Sequence, residues 1–169
     1  YQAEKYLERT IQSVLAQGHG DAIEYIVIDG ASKDGTLALI EKYQEQIDQS
    51  VSEPDNGIYD AMNKGLQRAT GDYIIFMNAG DAFADENTVG QLISAMESNP
   101  DVIFGDAMFV DEAGNTLGLR SQVTPHKIPL NLTWKSFQYG MVICHQSFVA
   151  KRSIAPLFDL HFRLSSDID

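Results

Sequence analysis

Apolar residues recur at helical spacing where the chain begins. Tyr6, Leu7, Ile11, Val14 and Leu15 predict an amphipathic helix over about residues 4–17. The period then changes. Ile23 to Asp29, with Ile26, Val27 and Ile28 in succession, predicts a buried strand. Gly30 to Gly35 is a turn, and Ser32 or Asp34 can cap the helix after it, which carries Leu37, Ile40 and Tyr43. A short extended piece near Gln49–Glu53 ends at Asn56-Gly57. A helix over Ile58–Ala69 follows, with Tyr59, Met62 and Leu66 on one face. Tyr73 to Met77 is uninterruptedly apolar and predicts an inner strand. Asn87–Ser98, with Val89, Leu92, Ile93 and Met96, predicts another helix. Val102–Val110 predicts a strand that turns at Glu112-Ala113-Gly114-Asn115 into Thr116–Arg120. Residues 121–143 predict loop with a short helix around Trp134, and Ser147–Ala150 a final strand.

Strand and helix alternate over the first 110 residues, which predicts an α/β fold with a mostly parallel central sheet and helices on both faces. No repeat or linker divides the chain, so residues 1–169 are expected to be one domain. The chain opens at a helix with no strand before it and stops inside an acidic motif. An internal piece of a longer protein is therefore expected, incomplete at both ends.

Charge narrows the function classes. The chain carries 24 acidic and 12 basic residues, a net charge of −12, and no Lys/Arg-rich run. Duplex nucleic acid and anionic lipid both demand a basic face, so neither is an expected partner of this segment. A phosphorylated ligand remains compatible if a divalent cation neutralises it. Cys144, the single cysteine, reads as a small buried apolar residue; no internal disulfide is possible and a reducing, cytoplasmic setting is expected. No apolar run approaches the roughly 18 residues of a membrane span. Neither dinucleotide nor P-loop glycine motifs occur, and His19, His126, His145 and His161 lack zinc spacing.

Acidic residues form four clusters: Asp29, Glu53 with Asp55, Asp81, and Asp167 with Asp169. Asp29 and Asp81 each follow a predicted strand, and open α/β sheets bind ligands outside the carboxyl ends of their strands. Each cluster also has a local reading. Asp29 can cap the amides of Ser32 or Lys33, Asn78-Ala79-Gly80-Asp81 can be an ordinary turn, and Asp167 and Asp169 can cap a helix. Repeated carboxylates at one sheet edge point instead to a metal with a sugar or nucleotide.

Four segments in order, IDGASKDGT, SEPDNGIYDAMNKGLQRATGDYIIFMNAGD, ICHQSFVAKR and FDLHFRLSSDID, resemble the family 2 glycosyltransferases of GT-A fold, in particular bacterial enzymes of surface-polysaccharide synthesis. The resemblance implies an inverting, metal-dependent transfer from a nucleotide-sugar, of UDP type, to a saccharide or lipid-linked hydroxyl. It implies that Asp29 and Glu53 contact the nucleotide and that Asp81 holds Mg²⁺ or Mn²⁺. Asn63 and Lys64 would contact the nucleotide too, with Arg68 an alternative to Lys64 at the diphosphate. Asp167 would be the base, His145 and Gln146 would lie on the acceptor side, and Asn78 and Asp169 are lesser candidates. Membrane association, at the inner face, would come only through segments outside these residues. The chain departs from the family pattern where Asn78 replaces a carboxylate of the DXD-type motif, and where Met62 precedes Asn63 in place of Arg. Two other readings fit the alternation: a nucleotidyltransferase of similar scaffold, and a non-catalytic α/β binding domain.

Overall fold

The computed structural model describes residues 1–161 apart from 112, 126 and 139. Twelve elements carry the fold. In chain order they are α1 (Leu7–Leu15), β1 (Ile26–Asp29), α2 (Thr36–Lys42), β2 (Gln49–Ser52), α3 (Ile58–Arg68), β3 (Tyr73–Ile75), α4 (Thr88–Met96), β4 (Val102–Phe104), β5 (Met108–Val110), β6 (Thr116–Leu119), α5 (Arg120–Val123) and β7 (Phe148–Lys151).

Helix α1 buries Leu7, Thr10, Ile11 and Val14, whereas Tyr6 and Leu15 are exposed. The buried stripe follows 3- and 4-residue steps, so Thr10 lies on it while Tyr6 and Leu15 fall outside. Ala3, Leu7 and Ile11 meet Val27 of β1, Ile40 of α2 and Ile47 in one core cluster. Burying each such aliphatic side chain contributes about 1.5–3 kcal/mol.

Strands β1 and β2 pair in parallel, with Asp29 opposite Ser52. That register matters for the site. Helix α3 packs on β1, with Gly65 facing the Ile28 side chain. In the second sheet β7 lies antiparallel between β3 and β4, so β3 and β4 run in the same direction. The fold is α/β as expected, but its pairing is mixed rather than mostly parallel, because the returning strand β7 enters between them. Tyr73–Ile75 has one strand partner, β7, and is not an inner strand among the described residues. Its other side borders a cavity also lined by β1.

The strand expected over Val102–Val110 divides in two. Gly105-Asp106-Ala107 interrupts it, where Asp106 accepts hydrogen bonds from the Ala107 and Ser121 amides. Strands β5 and β6 form the expected hairpin. Asp111 closes its turn by accepting from the Ala113 and Asn115 amides, and Gly114 takes φ +86°. Asp34 supports the start of α2 by accepting the Thr36 amide at 3.1 Å; Ser32 is engaged elsewhere. Helix α4 is supported from a distance: the buried Gln17 accepts the Val89 amide at 3.0 Å and donates to the Asp85 carbonyl at 2.9 Å. No described helix is long and apolar enough to cross a membrane.

Candidate functional site

Asp29 ends β1 and is only 2% exposed. Oδ2 accepts the Ser32 amide at 2.9 Å and the Ser52 hydroxyl at 2.6 Å, and Oδ1 accepts the Ser32 hydroxyl. The parallel register brings Ser52 alongside, and the tight turn returns Ser32. Ala31, in the left-handed region at φ +60°, makes that turn possible. Burial works to raise the Asp29 pKa, but the serine hydrogen bonds outweigh it, and the carboxyl lies below its ordinary value. The local reading of Asp29, as a turn acid on Ser32, is therefore realised. A carboxylate has about four acceptor sites, and donors among the described residues fill three of them.

The N-terminal segment closes the back of the turn. Gln2 donates its amide to Ser32 Oγ at 2.7 Å, and Ala3 its amide to Thr36 Oγ at 2.8 Å. In front, the Asp55 carboxylate lies against Gly30, where a Cβ would stand 2.4 Å from Oδ2. Glu53 is half-exposed and pairs with Lys64 Nζ at 3.2 Å; the same Nζ donates to the Pro54 carbonyl at 2.7 Å.

Asp81 folds its own loop. Oδ2 accepts the Asn78 amide at 3.0 Å. Thr10 reaches across from α1, donating to the Asp81 carbonyl at 2.8 Å and accepting the Gly80 amide at 2.8 Å. Gly80 sits at φ +106°. Among the described residues no group of three or more His, Cys, Asp or Glu side chains is arranged to hold a metal ion. Asp81 supplies a single carboxylate. That donor set still suits Mg²⁺, which is bound through one or two carboxylates, waters and substrate phosphates rather than by a protein cage.

Two cavities organise the candidates. The larger, about 1220 Å³, runs between the Ala22–Gly30 and Gly71–Ala79 segments. Most of its length is apolar space between β1 and β3. Asp29, Gly30, Asp55 and Asn78 are among the residues that line it. The smaller, about 160 Å³, is bounded by Ile58, Tyr59, Met62, Asn78, His145 and Gln146. Ile58, Met62 and Asn78 border both, so the two cavities adjoin along them. Glu53, Asn63, Lys64 and Asp81 are not on the described walls of either cavity.

Asn63 is buried on α3, and its carboxamide is turned onto the backbone of Phe158. The Phe158 ring stacks into a cluster with Tyr59, Phe76 and His145. Gln146 accepts from the half-buried Cys144 thiol, which is thus less enclosed than its residue type predicted. Just before these residues, the buried Arg120 donates to the carbonyls of Met141 and Val142 and fixes the approach to Cys144-His145-Gln146. Asp167 and Asp169 lie outside the described residues, as does His126.

Ser52, Thr10, Arg120 and Phe158 escaped sequence reasoning. Asp29 and Ser32 stand three apart, a visible turn signal, but Ser52 becomes a partner only through strand register. Thr10 is a polar residue on an apolar helical stripe, which was the available clue. Nothing local marked Arg120 or Phe158.

Comparison with known proteins identifies the family and the fold. The profile of Glycosyl transferase family 2 matches residues 1–156. An uncharacterized glycosyltransferase of Mycobacterium tuberculosis (strain H37Rv) is 35% identical over 167 residues, covering 95% of this chain and 60% of that protein. TuaG of Bacillus subtilis, whose name assigns it to teichuronic acid biosynthesis, is 37% identical over 101 residues. That alignment covers 57% of this chain and 39% of TuaG. The crystal structure of S. aureus TarS 1–349 in complex with UDP superposes with a TM-score of 0.77 at 17% identity, covering 99% of this chain and 50% of that one. The TarS likeness establishes a shared GT-A-like α/β fold. With the family profile matched over residues 1–156, the chain belongs to the family 2 glycosyltransferases.

Proposed function

We propose that the protein transfers a sugar, of hexosyl or N-acetylhexosaminyl type, from a UDP-sugar to a hydroxyl of a saccharide or lipid-linked acceptor, with inversion at the anomeric carbon. The observation that carries the reading is the meeting of two cavities along Ile58, Met62 and Asn78, one with the fixed Asp29 carboxylate and one with His145 and Gln146. The UDP complex of TarS supports the donor class, and the name of TuaG supports a surface-polysaccharide acceptor.

Each residue has a role in that reading. Asp29 uses its remaining acceptor site for a base N–H or ribose hydroxyl, held ready by Ser32 and Ser52. Asp55 and Gly30 shape the same end, and Glu53 and Lys64 brace the loop beside it. The Asp167 carboxylate takes the proton of the acceptor hydroxyl. That oxygen bonds to the anomeric carbon as the bond to the diphosphate breaks, and UDP leaves. General-base assistance contributes roughly 10²–10⁴-fold. His145 and Gln146 orient the acceptor, with Asn78 between the two substrates. Mg²⁺ or Mn²⁺ at Asp81 would neutralise charge on the diphosphate. The setting is the cytoplasm, where an unpaired cysteine stays reduced.

Calorimetric titration of the full-length protein with UDP, with and without Mn²⁺, tests the reading, followed by a screen of UDP-sugars by product mass. Metal-assisted UDP binding and a glycosylated product are expected. Preference for CTP or UTP with release of pyrophosphate would indicate a nucleotidyltransferase. Absence of nucleotide binding would indicate a non-catalytic domain.

A further inference from the structure

We infer that Asn63 is a positioning residue that pins the segment around Phe158 to α3 and so sets the His145 wall of the smaller cavity; its acceptor-side consequence rests on the function proposed above. Asn63 Nδ2 donates to the Phe158 carbonyl at 2.9 Å, and Asn63 Oδ1 accepts the Phe158 amide at 2.8 Å. One side chain thus takes both backbone groups of a single residue 95 positions away. The pairing reproduces a rung of a strand ladder without a strand, and it fixes position along the chain as well as distance.

The location gives this clasp a purpose. Asn63 is only 8% exposed, on the same helix as the buried Met62 and Leu66. A polar amide is expensive there unless it is hydrogen-bonded, and an apolar residue would serve packing better. Phe158, once held, meets Tyr59 at 5.3 Å between ring centroids, Phe76 at 5.6 Å and His145 at 6.4 Å. Phe76 in turn stacks on His145 at 5.9 Å and 22°. His145 therefore packs against two rings that also touch each other, one of which is placed by Asn63. Tyr59 and His145 both border the smaller cavity, and Asn63 does not. Asn63 acts through Phe158, and its bonded amide groups are not presented to a nucleotide, which is the contact the family resemblance implied.

The experiment compares wild type, Asn63→Ala and Phe158→Leu in the full-length protein, by hydrogen exchange and by NMR of the His145 ring. Losing the acceptor of the Phe158 amide should speed its exchange by roughly tenfold or more, the equivalent of one hydrogen bond of ordinary net strength. The His145 ring resonances should shift in both variants. Unchanged exchange at Phe158, or an unmoved His145 ring, overturns the inference whether or not the protein proves to be a transferase. If Asn63→Ala does not fold, Asn63→Asp keeps the acceptor for the Phe158 amide but removes the donor to its carbonyl, and the His145 shift decides. In the transferase assay the acceptor KM should rise or kcat should fall while UDP affinity stays within about twofold. Lower UDP affinity in Asn63→Ala with Phe158→Leu unaffected would return Asn63 to the donor site. A wild-type protein that binds no UDP would defeat the proposed function and leave the exchange and NMR results to judge the clasp.

Discussion

Ser52→Ala is the sharpest test of how β1 and β2 build the Asp29 end of the cavity. The substitution removes the hydroxyl that donates to Asp29 Oδ2 at 2.6 Å and leaves the backbone pairing of β1 and β2 intact. A hydrogen bond to a charged group contributes about 1.5–3 kcal/mol. The upper part of that range applies because Asp29 is only 2% exposed, so water replaces the lost donor poorly. For a domain of this size each kcal/mol moves Tm by about 2–4 °C. At about 2–3 kcal/mol, Ser52→Ala should therefore lower Tm by roughly 4–12 °C at pH 7.

The pH dependence has a definite sign. The Asp29 pKa is lowered in the folded protein: burial raises it, but the Ser32 and Ser52 hydrogen bonds prevail. A depressed carboxyl stabilises the fold above its unfolded pKa of about 3.9, and that stability is lost as pH falls through the folded value. Ser52→Ala raises the folded pKa. The stability gap between wild type and variant should be widest at neutral pH and narrow in acid, once the variant's Asp29 begins to protonate. Urea unfolding between pH 7 and pH 3.5 measures the gap. A gap below about 0.5 kcal/mol at pH 7, or one that widens as pH falls, would refute the role given to Ser52.

Thr10→Val keeps the shape of the side chain but removes its bonds to the Asp81 carbonyl and the Gly80 amide, so it should cost about 1–3 kcal/mol in chemical unfolding. Asp81→Asn should abolish the Mn²⁺ dependence of UDP binding measured by calorimetry, whereas Asp29→Ala should weaken UDP binding with or without the ion; unchanged affinity in both would refute the donor-site assignment. Gly30→Ala places a methyl group 2.4 Å from the Asp55 carboxylate and should reduce UDP affinity while leaving the urea midpoint nearly unchanged. Asp167→Asn should lower kcat by about 10²-fold or more with UDP affinity retained, and Asp169→Asn should do much less.

What was legible in the sequence was local. The helices at α1, α2, α3 and α4 and the strands at β1 and β3 follow from apolar period, and the hairpin turn follows from Glu112-Ala113-Gly114-Asn115. Boundaries moved inward by a few residues, as at β3, which ends at Ile75 rather than Met77. The mixed pairing was not legible, because β7 reaches β3 and β4 from more than 40 residues away and no local period encodes strand direction. Polar residues that hold distant segments were equally opaque. Thr10 meets Gly80 at a separation of 70, Gln17 meets Val89 at 72, and Asn63 meets Phe158 at 95. Each carries an ordinary residue type, and its meaning comes from the partner the fold supplies.

Asp29 shows why a local reading and a functional reading need not compete. An acid at the end of a buried strand is costly unless donors surround it. Ser32 and Ser52 supply those donors, so the turn is stable with the carboxylate ionised at neutral pH. The same bonds remove the freedom of the carboxylate to rotate. In the proposed function, a nucleotide donor that meets this carboxylate would find it already oriented, without the entropic cost of ordering a mobile side chain. On that proposed function, capping the turn is the means by which Asp29 would be prepared for a ligand, and Ser52 links the two roles because its loss should weaken both.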